Sequence, residues 1–446
     1  MSRWFRYGRN YTALLNQRGI HLTNCQVARN YLIVGHFYDI ISFMSIPKLS
    51  LCFNPDQNPS ALLKALRASN NILLNELALD IRSMLWQDSK EELTSMALYN
   101  TGSDVSQVGF PLTEDLISMN ALAPIPAPII ARIGGEKAFH PTILQIAKRH
   151  QEGRIWALPW LIDPRAIFYW KDMIDEASVS PERDFASAEG MDEACRQMKA
   201  KGVEYPWVLG MADRFVMIHS ITSWVWGKGG DFISPDGERA VFLDDASLDG
   251  MEAFFRLAAF MPPENYTFNA PTAHRFFTQR KAAITIGPYG CLDSFRAAVP
   301  AEMRDLLGVA LPPGPPLLAG SDLVLWQHSR KDQQVSDLLY ALFDTEVQIK
   351  YAEYTGDLPV TINALQHLSN SGDSGVKIFV ETLNTGRLFA TTKFGGILET
   401  QLSTGLAEVW ARLCQNPANP SNHKETIKKT LEPVRRRFDM LNETNK

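Results

Sequence analysis

The chain has 446 residues, long enough for two or more compact units and for a sizeable core that needs no metal or disulfide staples. Hydrophobic residues make up 45% and charged residues 21%, with 28 Gly and 26 Pro, which excludes a collagen-like, disordered or coiled-coil chain. Lys and Arg number 44 against 49 Asp and Glu, and a formal charge of −5 offers no basic field to a nucleic acid.

No stretch reaches the roughly 18–20 uninterrupted apolar residues of a membrane helix. The nearest, residues 30–46, is interrupted by His36 and Asp39. Arg3, Arg6 and Arg9 imitate the basic start of a signal peptide, but no clean apolar stretch and small-residue cleavage site follows. Leu49-Ser50-Leu51-Cys52 has the outline of a lipoprotein box, yet the bulky Leu51 before the cysteine is wrong for processing, so Cys52 reads as core. Residues 1–47 are expected to be a leader or a small helical extension. A second reading makes them a helix-turn-helix, with one helix through Gln26–Arg29 and an apolar one from His36 to Met44. The five cysteines (Cys25, Cys52, Cys195, Cys291, Cys414) are odd in number, far apart and free of any CxxC pair, so they read as buried small hydrophobes.

From Lys48 strands and helices alternate. KLSLCF reads as a strand, and Asn58-Pro59-Ser60 opens an amphipathic helix to about Asn75. ALDIRSMLW (78–86) alternates with period two as a second strand. Asp88 is placed to cap the helix SKEELTSMALYN, with Glu91 at the capping-box position and Gly102 ending it. Residues 104–108 form a third short strand, and this β-α-β-α-β run predicts a parallel sheet covered by helices. Residues 165–285 read as mostly helical. Ala282–Ile286 and Leu306–Leu311 return as strands before the loop PPGPP, and Asp332–Ala352 reads as one amphipathic helix. No repeat of 20–50 residues is present.

Catalytic signatures are missing: there is no HExxH, GxSxG, GxxxxGK[ST] or GxGxxG, and the nine histidines are scattered with none at metal-ligand spacing. Carboxylates are too numerous for sequence to single out or exclude a glycosidase pair.

Several blocks in order resemble one family. In residues 78–125, Asp104-Val105 and Leu122-Ala123-Pro124-Ile125 resemble the first lobe of the extracellular solute-binding proteins of carbohydrate-uptake ABC transporters, the maltodextrin-binding-like family, with Ser103 where a proline is usual. Gly153–Trp160 followed by Ile167–Asp172 looks like that family's crossing into the second lobe. Phe276–Ala283 with Ile286–Tyr289 looks like the return, and Ser321–Leu325 with Gly356–Val360 like the close. The resemblance implies an α/β fold of two hinged lobes, the class II periplasmic-binding-protein type. Residues 48–160 plus 286–328 would form the N-terminal lobe and 165–285 plus 330–440 the C-terminal lobe. It also implies a monomer without cofactor, metal or enzymatic activity, located in the periplasm or at the cell surface. Its partners would be a carbohydrate ligand and the permease subunits of an ABC transporter, with no nucleic acid. The alternative is a cytoplasmic ligand-sensing regulator built on the same module, with residues 1–47 as a remnant DNA-binding element. A third reading keeps the fold as an interaction scaffold with a degenerate cleft.

A binder of this kind closes because ligand contacts both lobes and favours the closed form by its differential affinity. Sugars present an apolar C–H face and a rim of hydroxyls, so their clefts want aromatic planes and planar hydrogen-bonding groups. Tyr289 stands where the resembled family places a stacking aromatic. Trp160 follows the first crossing beside Asp163 and Arg165, which could touch ligand or form a hinge ion pair. Trp224 and Trp226, two apart on a helix, do not share a face, so at most one of these two candidates is expected to face ligand, with the other in the core. Asp104 either caps its turn or meets ligand, and Gln107 faces whichever side the pleat dictates. Gly320, Ser321 and Asp322 could offer backbone N–H groups, and Phe394, after a Thr-Thr-Lys run, aligns with a late aromatic of the family. Trp86 and Trp156, within apparent strands, are expected in the core.

Overall fold

The computed structural model describes residues 49–53, 59–68, 79–86, 88–148, 153–329, 332–390, 392–414 and 422–444. The readings made for residues 1–47, and that for Cys25, lie outside them. Leu49–Phe53 (β1) runs parallel to Val105–Gly109 (β3), with Leu51 opposite Val105 and Cys52 opposite Ser106. Pro59–Ala68 (α1), Leu79–Ser83 (β2) and Ser89–Tyr99 (α2) complete the alternation in the predicted order. The strand order is β2-β1-β3-β8-β5-β6, with β4 (Leu122–Ala123) on β8 and β7 (Leu307–Ala310) on β5.

The sheet is mixed rather than parallel throughout, because β8 (Leu318–Trp326) returns antiparallel between β3 and β5 (Ala157–Trp170). The 14-residue β5 is the backbone of the whole arrangement. Its proximal half, Ala157 to Pro164, pairs with β8, while its distal half, Arg165 to Trp170, pairs with β6 (Ile284–Pro288) and β7. A register shift between Pro159 and Leu161 leaves Trp160 out of the ladder and bends the strand there.

Two elements end differently from expectation. Asp88 makes no side-chain capping bond, and α2 stops one turn before Gly102. Asn100 takes the left-handed conformation (φ 54°), and Asn100 and Thr101 N–H groups satisfy the Ala97 and Met96 carbonyls. Gly102 serves another purpose: a Cβ there would lie 2.0 Å from the Trp326 ring. The helix expected over 332–352 is two, α11 (Asp332–Leu342) and α12 (Thr345–Thr355). Asp344 breaks the run by capping the second one, accepting from the Glu346 and Val347 N–H groups.

Between these, α3 (Phe110–Ser118) leaves β3 directly, followed by α4 (Ala127–Arg132) and α5 (Pro141–Lys148). The middle of the chain is mostly helical as expected, with α6 (Ala188–Ala200), α7 (Arg214–Gly227), α8 (Asp245–Arg256) and α9 (Ala270–Thr278); α10 (Cys291–Ala298) follows β6. The chain ends with α13 (Ile362–Ser369), α14 (Ser374–Thr385), α15 (Gly395–Cys414) and α16 (His423–Glu443).

The apolar residues sort into separate cores. One gathers Cys52, Met84, Leu93, Val108, Leu116 and Trp326 around β3 and β8. A larger one gathers Ile167, Phe185, Trp207, Trp224, Phe254 and Leu406, joining distal β5 and β6 to α6–α8, α15 and α16. Chain order does not follow this division. Ile286 and Ala310, of the 286–328 stretch expected in the first lobe, belong to the larger core. Within the 330–440 stretch expected in the second lobe, α12 packs on α1 and α11 on α4. Cys52, Cys195 and Cys291 are free and buried and Cys414 half-buried, as small hydrophobes would be.

Candidate functional site

β3 runs into α3 with no intervening loop, β5 switches partner at Pro164, and α7 and α15 point their N-terminal turns toward the same place. Together they enclose a cavity of about 500 Å³, within the roughly 300–1,000 Å³ of small-ligand sites. One wall comes from Trp86, Lys90, Phe110, Glu114 and residues 319–321; the opposite wall comes from Asp213, Phe215, His219, Phe389, Gly396 and Glu399. Trp86, Phe215 and Phe389 line the space and are each only partly covered. The Trp86 ring lies beside Gly109.

At the floor, where β5 passes between the two pairings, Asp163 and Arg165 form an ion pair of 3.1 Å. Arg165 Nη2 also lies 3.1 Å from His219 Nδ1, and His219 Nε2 lies 3.4 Å from Glu399 Oε1. A guanidinium only donates, so Nδ1 is the side that accepts from Arg165 and Nε2 is the side that faces Glu399. This chain ties β5 to α7 and α15. Arg165 Nε is buried with no hydrogen-bond partner among the described residues, and so is Thr392 Oγ1 on the far wall. Among the described residues no group of three or more His, Cys, Asp or Glu could hold a metal ion.

Of the residues singled out in the sequence, Asp163, Arg165, Gly320 and Ser321 line this cavity. The others lie elsewhere. Trp160 is fully buried, its ring against Phe53, Phe343 and Tyr351, because the irregularity in β5 turns it into the core. Trp224 is fully buried against Trp207 and Phe254. Trp226 stands one layer back: its Nε1–H donates to Asp231, the Arg387 guanidinium lies over its ring, and Phe389 separates it from the space.

Tyr289 packs edge-on against Phe379, and burial pushes its hydroxyl up to about 12. Asp104 accepts from Ser50 N–H, Ser50 Oγ–H and Ser329 Oγ–H, a structural tie. Gln107 donates to Ser321 Oγ, and Asp322 accepts from Thr113, both inside the sheet. Strand β8 is flanked on both sides at Ser321, so its backbone serves the ladders instead of a ligand. Phe394 is half-buried against the larger core.

Trp86, expected in the core, faces the cavity, whereas Trp156 packs partly against the smaller core. Lys90, His219, Phe389 and Glu399 carry no local sequence signal; they meet only because three helix N-termini converge.

The sequence profile described as bacterial extracellular solute-binding protein matches residues 81–376. Comparison with curated proteins gives no match. Solved structures show the same two-lobed fold at low identity. The sugar-binding protein MalE from Xanthomonas citri is 17% identical with a TM-score of 0.72, over 89% of this chain and 99% of that one. The GacH receptor of Streptomyces glaucescens, solved unliganded and with acarbose, is 17% identical with a TM-score of 0.69, over 87% and 98%. Maltose-bound MalE3 of T. maritima is 16% identical with a TM-score of 0.69, over 87% and 99%.

Proposed function

The chain belongs to the bacterial extracellular solute-binding protein family, and from that premise we propose that it captures a sugar or oligosaccharide in the cavity above β5 and hands it to an ABC transporter. The carrying observation is a cavity of two unlike walls joined at one strand. Partly covered aromatic side chains (Trp86, Phe215, Phe389) stand around a polar floor (Asp163, Arg165, His219), the combination that a ring with an apolar face and a hydroxyl rim requires. MalE3, bound to maltose, and the GacH receptor, bound to acarbose, share the fold.

The packing supports lobes of 49–162 with 318–369 and of 165–317 with 374–444, so that the chain crosses at β5, at the start of β8 and before α14. Ligand bound to both walls would hold these lobes together. Capture without bond-making, a monomer, a periplasmic or cell-surface location and permease subunits as partners complete the reading. Among the described residues no helix is long and apolar enough to cross a membrane. The regulator alternative rests on residues 1–47, outside the described residues, and neither the family nor the structural neighbours lend it support.

A panel of mono- and oligosaccharides tests the reading by thermal shift. A bound sugar raises Tm by mass action, by about 2.7 kcal/mol of stability at a hundredfold excess over Kd. Trp86→Ala is expected to leave Tm without sugar nearly unchanged and to weaken binding of the same sugar by about 1–3 kcal/mol. A panel in which no sugar shifts Tm contradicts the carbohydrate reading.

A further inference from the structure

The N-terminus of α15 is held from outside its own lobe. Gly395 and Gly396 open this helix against the first turns of α3: a Cβ on Gly395 would lie 3.0 Å from the Pro111 carbonyl oxygen, and one on Gly396 would lie 2.7 Å from Asp115 Oδ2. The Asp115 carboxylate lies against the backbone of Gly396, whose N–H favours its charged form. From α2, the Lys90 ammonium donates to the Gly396 carbonyl (3.3 Å) and to Thr400 Oγ1 (3.4 Å). Asp115 Oδ1 is buried with no hydrogen-bond partner among the described residues. Both side chains come from the 49–162 lobe, and both grip the 374–444 segment at the rim of the cavity.

We infer that Asp115 and Lys90 form an inter-lobe clasp on α15 and that closing this clasp takes up a proton at Asp115. The inference rests on the lobe assignment proposed above. An ionised carboxylate with one oxygen buried and unpartnered is costly, whereas a protonated one is not. Burial is the largest influence on Asp115 and raises its carboxyl to about 7. Lys90 on α2 opposes this, as does the Gly396 N–H, while Glu114 on the same helix and Glu399 on α15 add to it.

In an open molecule the carboxyl is solvated and returns to its ordinary value of 3.8. The closed form therefore binds the proton more tightly. Its advantage is complete below about pH 4 and is lost as pH rises through about 7, with the closed-to-open ratio changing by at most about tenfold per pH unit between them. Above that window the carboxylate is ionised in both forms and the ratio is flat.

Small-angle scattering of the full chain from pH 4.5 to 8, with no sugar added, reads the clasp directly. The native chain contracts as pH falls below 7. Asp115→Asn, which keeps the shape of the carboxyl and cannot titrate, stays at one size across the range. Lys90→Met is more open at acid pH, and its transition moves to higher pH because the ammonium that opposed protonation of Asp115 is gone. Identical pH profiles for the native chain and Asp115→Asn overturn the inference. Gly396→Phe separates its failure from that of the lobe assignment, because its ring must prise α3 from α15. A flat native profile alongside an expanded Gly396→Phe overturns the clasp and leaves hinged lobes standing. A Gly396→Phe chain that loses stability without expanding overturns both.

Discussion

Trp160→Ala is expected to cost about 3–5 kcal/mol of folding stability, the range for deleting a large buried aromatic. The indole is fully buried and meets three rings, Phe53 at 6.3 Å, Phe343 at 5.9 Å and Tyr351 at 5.1 Å. These rings come from β1, the α11–α12 junction and α12, so the cavity left behind would undercut three segments at once. Denaturant unfolding measures the loss, and titration of the protein that remains folded should find its sugar affinity unchanged. A large fall in affinity with normal stability would instead put Trp160 in contact with ligand, as its position beside Asp163 suggests from sequence.

Arg165→Ala has the opposite signature. Arg165 pairs with Asp163, donates to His219 and keeps Nε free of any partner among the described residues. Its loss leaves Asp163 unpaired on the cavity floor and lets the imidazole swing away from the geometry that holds Glu399. The expected loss of binding is about 2–5 kcal/mol, roughly thirtyfold to four-thousandfold in Kd. Arg165→Lys is not expected to restore it, because an ammonium cannot present the planar fork that reaches both neighbours. Calorimetric titration with the sugar of largest thermal shift checks this; native affinity in Arg165→Ala would remove the floor from the site.

The fold was legible where local chemistry and tertiary packing agree. The alternation of strands and helices from Lys48 follows from hydrophobic period, although Asp88 does not cap its helix, and the block order carried the two-lobed architecture. What the sequence could not show was the mixture of directions in the sheet, since the antiparallel entry of β8 depends on pairings across some two hundred residues. Phe343-Asp344 was hidden for a smaller reason: a capping Asp inside an amphipathic pattern looks like one more polar position.

The site was legible only at β5. Asp163 and Arg165 stand where one strand serves two sets of partners, and that crossing shows in the sequence. The aromatic candidates misled because an indole at a strand or helix end is equally suited to core and cleft. Trp160 and Trp224 are buried, while Trp86 and Phe389 reach the cavity through close approaches, to Gly109 for the first and over Trp226 for the second, that spacing does not encode. His219 and Glu399 lie 180 positions apart and meet through the packing of α7 on α15.

A crystal structure of the chain grown with the sugar that gives the largest thermal shift shows where the ligand sits. One sugar ring is expected in the space bounded by Trp86, Phe389 and the Asp163–Arg165 floor, touching side chains of both lobes. Sugar bound on an outer face, with that space filled by the protein's own side chains, would contradict that expectation.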